Sequence, residues 1–380
     1  MDKYRRHQLI WRLFQPSVRA LVRQKFNFTC EDIQADRPIV LISNHVSAWD
    51  PLFVASSLPK HQVYYVASEH IFRLGLISRV IEYLVDPIPR RKASSGADTV
   101  KACLRLLRAG RSVCLFAEGE QSWDGRNSPI FPATGKLVKS SGATLVTYRL
   151  EGAYLSLPRW GRGIRRGSVF GHPVGIYPPE QLKAMTADEV NALINRDIAE
   201  DAWERQRLNP VAYKGKNRAE GLERALFLCP RCRRIGTLHT GGSLIFCCCG
   251  LDLEYTETGF FTPETPFADV AEWDDWQRQQ LHARTFLHPG PDAPLFSDEP
   301  LTLVRLSSGH REERLATGIL SQYEDRLMCG EYSFPLSGIS SMAMVLTNRL
   351  LFTFDGAYYE IRSSGGANLL KYLEIWKGHI

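Results

Sequence analysis

Ser43-Asn44-His45-Val46-Ser47-Ala48-Trp49-Asp50-Pro51 follows a short apolar run, Pro38 to Ile42, that reads as a buried strand. Asp50 ahead of Pro51 marks a helix start, because Asp caps free N–H groups and Pro fits the first helical position. His45 is therefore expected on a loop between strand end and helix start, with Asp50 folded back towards it. A carboxylate within reach of one ring nitrogen fixes the tautomer and supports a positive charge on the ring. The other nitrogen is then left to take a proton from a hydroxyl. The alternative is that Asp50 only caps a helix. No other His in the chain has Asp five residues later. The strand before, the Pro after and a second acidic loop further on favour a general-base dyad.

Four stretches in order resemble the blocks of a known family, the glycerolipid acyltransferases typified by 1-acyl-glycerol-3-phosphate acyltransferase. Asn44, His45 and Asp50 match a His-x4-Asp block, and Ile88-Pro89-Arg90 matches an Ile-x-Arg block. Phe116-Ala117-Glu118-Gly119-Glu120-Gln121-Ser122 resembles the third, usually Phe-Pro-Glu-Gly-Thr-Arg-Ser. Thr144-Leu145-Val146-Thr147-Tyr148 resembles the fourth, an apolar strand that normally carries a Pro. The resemblance spans about the first 220 residues. It implies an α/β acyltransferase domain over residues 31–225, a mixed central sheet flanked by helices.

It also implies O-acyl transfer from acyl-CoA or an acyl-carrier protein to a lysophospholipid or glycerol-phosphate hydroxyl, as in phospholipid biosynthesis. His45 and Asp50 are then catalytic, and Asn44, Arg90, Arg91, Glu118, Gly119 and Lys136 bind substrate. Where the family has Thr and Arg in its third block, this chain has Glu120 and Gln121. One phosphate-binding cation is thereby lost, and Arg90, Arg91 and Lys136 are the cations that remain to replace it. The altered block also motivates a rival reading, a membrane-associated scaffold or binding protein whose acyltransferase-like domain has lost activity.

With 380 residues, two or three domains are expected, and 44% hydrophobic content supports packed cores. Nine cysteines, five of them between Cys229 and Cys249, suggest a reducing compartment and a metal site rather than a disulfide framework. No stretch approaches 18 consecutive apolar residues, so no membrane-spanning helix is expected. Arg12 interrupts the only N-terminal apolar cluster, which makes a poor signal peptide. A cytoplasmic protein, peripheral on the inner face of the membrane, is the expectation.

Residues 1–30 read as a basic amphipathic docking segment. Arg5, Arg12, Arg19 and Arg23 share one helical face, with Leu9, Ile10, Leu13, Phe14, Val18 and Leu21 over the other and Trp11 among them. Pro16 is expected to kink or split this helix. Such a segment can lie in a bilayer interface, each Arg near an anionic surface contributing ~1 kcal/mol. The other reading is a helix packed on its own domain.

A helix from Pro51 to Leu58, a strand from His61 to Ala67 and a helical stretch from Ile71 to Leu84 follow, the last lining an acyl channel or packing as core. Arg90-Arg91-Lys92 then end a stiff Pro-x-Pro turn, and guanidinium forks suit phosphate oxygens. Residues 95–109 read as a helix and Arg111 to Phe116 as a strand. Glu118 and Gly119 fall at its carboxyl end, where α/β sheets present ligands. Gly119 allows close backbone approach, and Glu118 is placed to bond an acceptor hydroxyl. Beyond the strand Ala143 to Leu150, the basic, aromatic stretch Pro158 to Gly167 is a candidate grip for acyl-CoA phosphates or lipid headgroups. Nucleic acid is not expected, since no nucleic-acid fold signature accompanies it. A strand from Ser168 to Ile176 and one long helix from Ala187 to Arg207 close the domain.

Cys229-Pro230-Arg231-Cys232 and Cys247-Cys248-Cys249 read as a zinc ribbon over residues 226–258, with structural zinc on Cys229, Cys232, Cys247 and Cys249. Cys247 pairs better with Cys249 than with Cys248, since alternate residues are easier to aim at one ion. Residues 259–300 read as a connector with Trp273 and Trp276 on a short helix. Residues 301–380 hold seven short alternating strands, a hairpin turn at Asp355-Gly356 and a last helix, Ala367 to Trp376. By pattern this resembles a pleckstrin-homology-like barrel capped by a C-terminal helix, a site for protein partners, membrane contact or autoregulation.

Overall fold

The apolar run that precedes His45 becomes the strand Ile39–Ser43, buried at every position. The computed structural model describes residues 2–93, 96–263, 266–283, 293–307 and 311–379, and divides into two compact units. The first comprises Met1–Arg91, Gly96–Arg159 and Gly163–Gly215.

Its strands are β1 (Phe28–Cys30), β2 (Ile39–Ser43), β3 (Val63–Ser68), β4 (Ile88–Arg90), β5 (Ser112–Leu115), β6 (Thr144–Glu151) and β7 (Val169–Tyr177). They form one mixed sheet in the order β1-β7-β6-β2-β5-β3-β4. The β6–β7 pairing alone is antiparallel, so β2 to β6 open their carboxyl ends on one edge while β1 and β7 run the other way. The helices are α1 (Lys3–Phe26), α2 (Asp50–Ser56), α3 (Leu76–Leu84), α4 (Ala97–Arg108), α5 (Ala133–Ser141), α6 (Ala153–Ser156), α7 (Pro179–Ala184), α8 (Ala187–Ile198) and α9 (Ala202–Leu208). Val40, Ile42, Val113 and Leu145 of the sheet pack with Leu107 of α4, Leu137 and Val138 of α5, and Val190 and Ile194 of α8. Phe26 of α1, Phe28 of β1 and Phe53 of α2 meet as a second group of rings.

Three elements differ from their sequence reading. α1 runs through Pro16 without interruption, and it packs inward with His7, Gln15, Val22 and Phe26. Trp11 joins that inner side, its Nε1–H donating to the Leu58 carbonyl at 2.9 Å, and the Gln15 amide donates to the Ser56 carbonyl at 3.0 Å. These bonds hold the helix on α2 beside the one N–H that Pro16 lacks. Its outer side leaves Leu9 50%, Leu13 65%, Phe14 57% and Leu21 45% exposed. α3 likewise exposes Leu76, Ile77, Val80 and Tyr83, so this amphipathic stretch is not core. The long closing helix is two: the Asp201 carboxylate accepts the Trp203 and Glu204 N–H groups and begins α9 afresh.

The second unit comprises Lys92–Ser95, Trp160–Arg162 and Lys216–Ile380. Residues 216–225 thus fall outside the first unit, where sequence had placed them; the Ala219 N–H bonds to the Gly242 carbonyl at 2.9 Å. Here β8 (Leu238–Gly241), β9 (Leu244–Cys247), β10 (Leu251–Tyr255) and β11 (Phe261–Thr262) form an antiparallel sheet. α10 (Val270–Ala283) is longer than the short helix expected in a connector. It is built into the unit, with Trp273 fully buried and its Nε1–H on the Leu228 carbonyl at 3.0 Å. Parts of that connector, residues 264–265 and 284–292, lie outside the described residues.

Seven further strands follow: β12 (Phe296–Leu306), β13 (Glu312–Gln322), β14 (Arg326–Cys329), β15 (Tyr332–Pro335), β16 (Ile339–Val345), β17 (Arg349–Phe354) and β18 (Ala357–Arg362). Every neighbour pair in the order β15-β14-β13-β12-β18-β17-β16 is antiparallel. Asp355 and Gly356 both have positive φ, 47° and 72°, as a tight hairpin of twisted strands requires. α11 (Leu370–Lys377) buries Tyr372, Leu373 and Trp376, with the Trp376 Nε1–H on the Ile339 carbonyl at 3.1 Å.

Candidate active site

Parallel pairing of β2 with β5 aligns Ile42 with Leu115, so the residues that follow each strand emerge side by side. The two loops are then stitched through the main chain of His45. Its N–H donates to Glu118 Oε1 at 2.9 Å, and its carbonyl accepts the Ser122 N–H at 2.9 Å. Its ring stacks on Phe116, centroids 4.4 Å apart and planes at 23°.

Asp50 is fully buried, and its Oδ2 lies 2.7 Å from His45 Nδ1. The same oxygen accepts the Val46 and Ser47 N–H groups at 2.7 and 2.9 Å. The carboxylate therefore braces the loop before it rather than capping α2. An oxygen that already accepts two N–H bonds is an acceptor for the ring as well, so Nδ1 carries the proton and Nε2 presents its lone pair. Nε2 has no partner among the described residues, on a side chain 19% exposed. This arrangement can draw a proton from an alcohol.

The other sequence candidates divide. Asn44 is wholly buried, its amide spent on Leu150: Nδ2–H to the carbonyl at 2.8 Å and Oδ1 from the N–H at 2.7 Å. Glu118, too, faces inward. Oε1 accepts the His45 N–H and Asn127 Nδ2–H, the latter at 2.8 Å, and Oε2 accepts the Ser128 N–H at 2.8 Å. Burial pushes its carboxyl up to about 7 against the pull of those three donors. Both side chains thus position backbone where the sequence reading had them meeting substrate.

Gly119 has φ +78°, and a Cβ there would overlap the Phe131 ring, which covers it. The Arg90 guanidinium lies 5.8 Å from the centre of that same ring. Arg90 is therefore close to the third block through Phe131. Arg91 faces Glu69 at 3.7 Å. Lys136 is exposed on α5 and has no ion pair with the dyad.

Sequence reading placed Arg159 only within a basic stretch and did not tie it to the third block; its side chain is only 4% exposed. Its Nη1 donates to Glu120 Oε2 at 3.1 Å and to the Gln121 carbonyl at 3.3 Å, and it stacks over Trp123 at 4.2 Å. A guanidinium thus reaches Glu120 and Gln121, two of the three positions where the third block departs from the family pattern, but from a segment 38 residues downstream and already paired with a carboxylate. In the basic stretch that held promise as a phosphate grip, Arg159 and Arg165 are buried, while Arg166 is exposed.

In the second unit, the Sγ atoms of Cys229, Cys232, Cys247 and Cys249 all lie within 4.8 Å of one another, and Cys248 is exposed outside them. These four residues could hold a metal ion. Among the described residues, no helix is long and apolar enough to cross a membrane.

An acyltransferase family model matches residues 25–151. A chloroplastic 1-acyl-sn-glycerol-3-phosphate acyltransferase of Brassica napus is 30% identical over 132 residues, 34% of this chain and 38% of that protein. One from Arabidopsis thaliana is 30% identical over 168 residues, 43% of this chain and 46% of that protein. The chain thus spans less than half the length of either relative. The crystal structure of the 1-acyl-sn-glycerophosphate (LPA) acyltransferase PlsC from Thermotoga maritima is similar at a TM-score of 0.42 and 16% identity, over 51% of this chain and 79% of that one. His45 and Asp50 both fall within residues 25–151, the stretch that the acyltransferase family model matches.

Proposed function

We propose that this protein is an O-acyltransferase that moves a fatty acyl group from acyl-CoA or an acyl-carrier protein to the hydroxyl of a lysophospholipid or glycerol phosphate, 1-acylglycerol-3-phosphate foremost. The observation that carries this reading is the 2.7 Å bond from His45 Nδ1 to a buried Asp50, with Nε2 left to accept a proton. Nε2 takes the acceptor's O–H proton as its oxygen attacks the thioester carbonyl. The C–S bond breaks, and the departing thiolate recovers that proton from the imidazolium. Asp50 holds the ring and fixes its tautomer. General-base help of this kind is worth ~10²–10⁴ in rate, with positioning of two substrates adding more. The intact dyad weighs against the inactive-scaffold reading. Arg90, beside the third block, is the cation we assign to the acceptor's phosphate.

The outer face of α1, apolar at Leu9, Leu13, Phe14 and Leu21 with arginines alongside, supports peripheral docking on the cytoplasmic face of a membrane. The cysteine cluster fits structural zinc. A Zn–S bond of about 2.3 Å gives a tetrahedron with S···S edges of about 3.8 Å, and Cys229–Cys249 and Cys232–Cys247 stand at 3.6 and 3.8 Å. The order of the last seven strands with α11 supports a pleckstrin-homology-like module for protein partners. The test is release of free thiol from acyl-CoA by purified protein across a panel of lysolipids. Thiol release with each acceptor's acylated product is expected, with His45→Ala folded and at least ~100-fold slower; a folded wild type that releases none sinks the reading.

A further inference from the structure

Asn127 lies outside every sequence block, yet it joins the catalytic loop to the helices behind it. Its Nδ2–H donates to Glu118 Oε1 at 2.8 Å, the oxygen that also accepts the His45 N–H. Its Oδ1 accepts the Glu200 N–H at 2.5 Å, where α8 ends and α9 begins. From there the chain of polar contacts continues. Glu200 Oε1 accepts Arg205 Nε–H at 2.9 Å, Arg205 pairs with Glu151, and Glu151 Oε1 lies 3.2 Å from His172 Nε2. The His45 loop is thus fastened at one end by Asp50 and at the other, through Glu118 and Asn127, to the α8–α9 junction.

We propose that Asn127 is a positioning residue for the His45 base, fixing the Glu118 carboxylate against the His45 main chain and tying both to the start of α9. The inference rests on the proposed general-base reading. An amide is suited to this place because the two bonds need opposite polarity: a donor towards the Glu118 carboxylate and an acceptor towards the Glu200 N–H. An ionised Asp would keep the second bond and turn the first into a meeting of like charges. On its far side Glu118 faces His45 and Asp50, and beyond Asn127 stand Glu200 and Arg205.

Asn127→Asp therefore separates the two bonds. In the full-length protein at pH 8, kcat for thiol release is expected to fall about 10- to 100-fold, the range of a slightly misplaced catalytic group. KM should change little, and the thermal midpoint should fall at pH 8 and return as pH is lowered, because the two carboxyls repel only while both are ionised. As pH falls, a proton shared between the introduced carboxylate and Glu118 restores an O–H donor, so the variant should recover relative to wild type. Wild-type kcat at every pH, a loss confined to KM, or a loss without recovery at low pH overturns the proposal. Should wild type release no thiol, the general-base reading fails by itself. The rate of diethyl pyrocarbonate modification at His45, read by peptide mass, then decides: a several-fold change in Asn127→Asp supports the positioning role, and an unchanged rate overturns it.

Discussion

Glu118 holds His45 by the main chain and not by the ring: its Oε1 accepts the His45 N–H at 2.9 Å while Asp50 takes Nδ1. The base is thus gripped at backbone and side chain by different carboxylates, one on the loop that follows β5 and the other at the first residue of α2.

That grip has a pH signature. Burial raises the folded Glu118 carboxyl from its ordinary 4.5 to about 7, so the folded state holds this proton more tightly than the unfolded chain. The stabilisation is fully present below pH 4.5 and is lost as pH rises through about 7. It amounts to about 3 kcal/mol at most, at 1.36 kcal/mol per unit. Urea unfolding at pH 4.5 and pH 8 should show this loss in wild type, and Glu118→Gln should flatten it. The Gln variant should also lose kcat, because its amide NH₂ opposes either the Ser128 N–H or the His45 and Asn127 donors.

Gly119 and Phe131 are a steric pair. Gly119→Ala should destabilise by about 1–3 kcal/mol, through a positive φ and overlap with the Phe131 ring. Adding Phe131→Ala should return part of that loss, since the ring moves away but the backbone strain stays. Thermal melts of the single and double variants measure it; additivity would show that the ring does not cover Gly119.

Cys229, Cys232, Cys247 and Cys249 should carry one zinc per chain by elemental analysis. A strong chelator should lower the melting temperature of the second unit, because a small sheet with little core depends on its metal. Cys229→Ser or Cys249→Ser should lose the ion, whereas Cys248→Ser, at an exposed position, should retain it.

On α1, the double change Leu13→Glu with Phe14→Glu adds charge to two side chains that are 65% and 57% exposed, so folding should be unaffected. Flotation with anionic vesicles should drop by at least tenfold, as each well-buried large apolar group is worth ~1.5–3 kcal/mol. Equal flotation of both proteins would rule out this face as the docking surface.

Sequence alone determined what is local. His45 and Asp50 are five residues apart, astride a strand end and a helix start, so their meeting follows from backbone geometry over a single turn. The same holds for Cys229 with Cys232, and for the strands, which read either as short apolar runs, like the one before His45, or as an alternation repeating every two residues. Tertiary structure decided which polar groups face substrate and which face the chain itself. Asn44 and Glu118 read as ligands because a polar residue at a strand end looks the same whether it meets a substrate or a neighbouring N–H. Their partners, Leu150, Asn127 and Ser128, are brought up only by sheet pairing and loop packing. Periodicity likewise separated the arginines of α1 from its leucines but could not say which side would be covered. That was settled by the carbonyls of Ser56 and Leu58, which offer hydrogen bonds that Gln15 and Trp11 can meet and a leucine cannot.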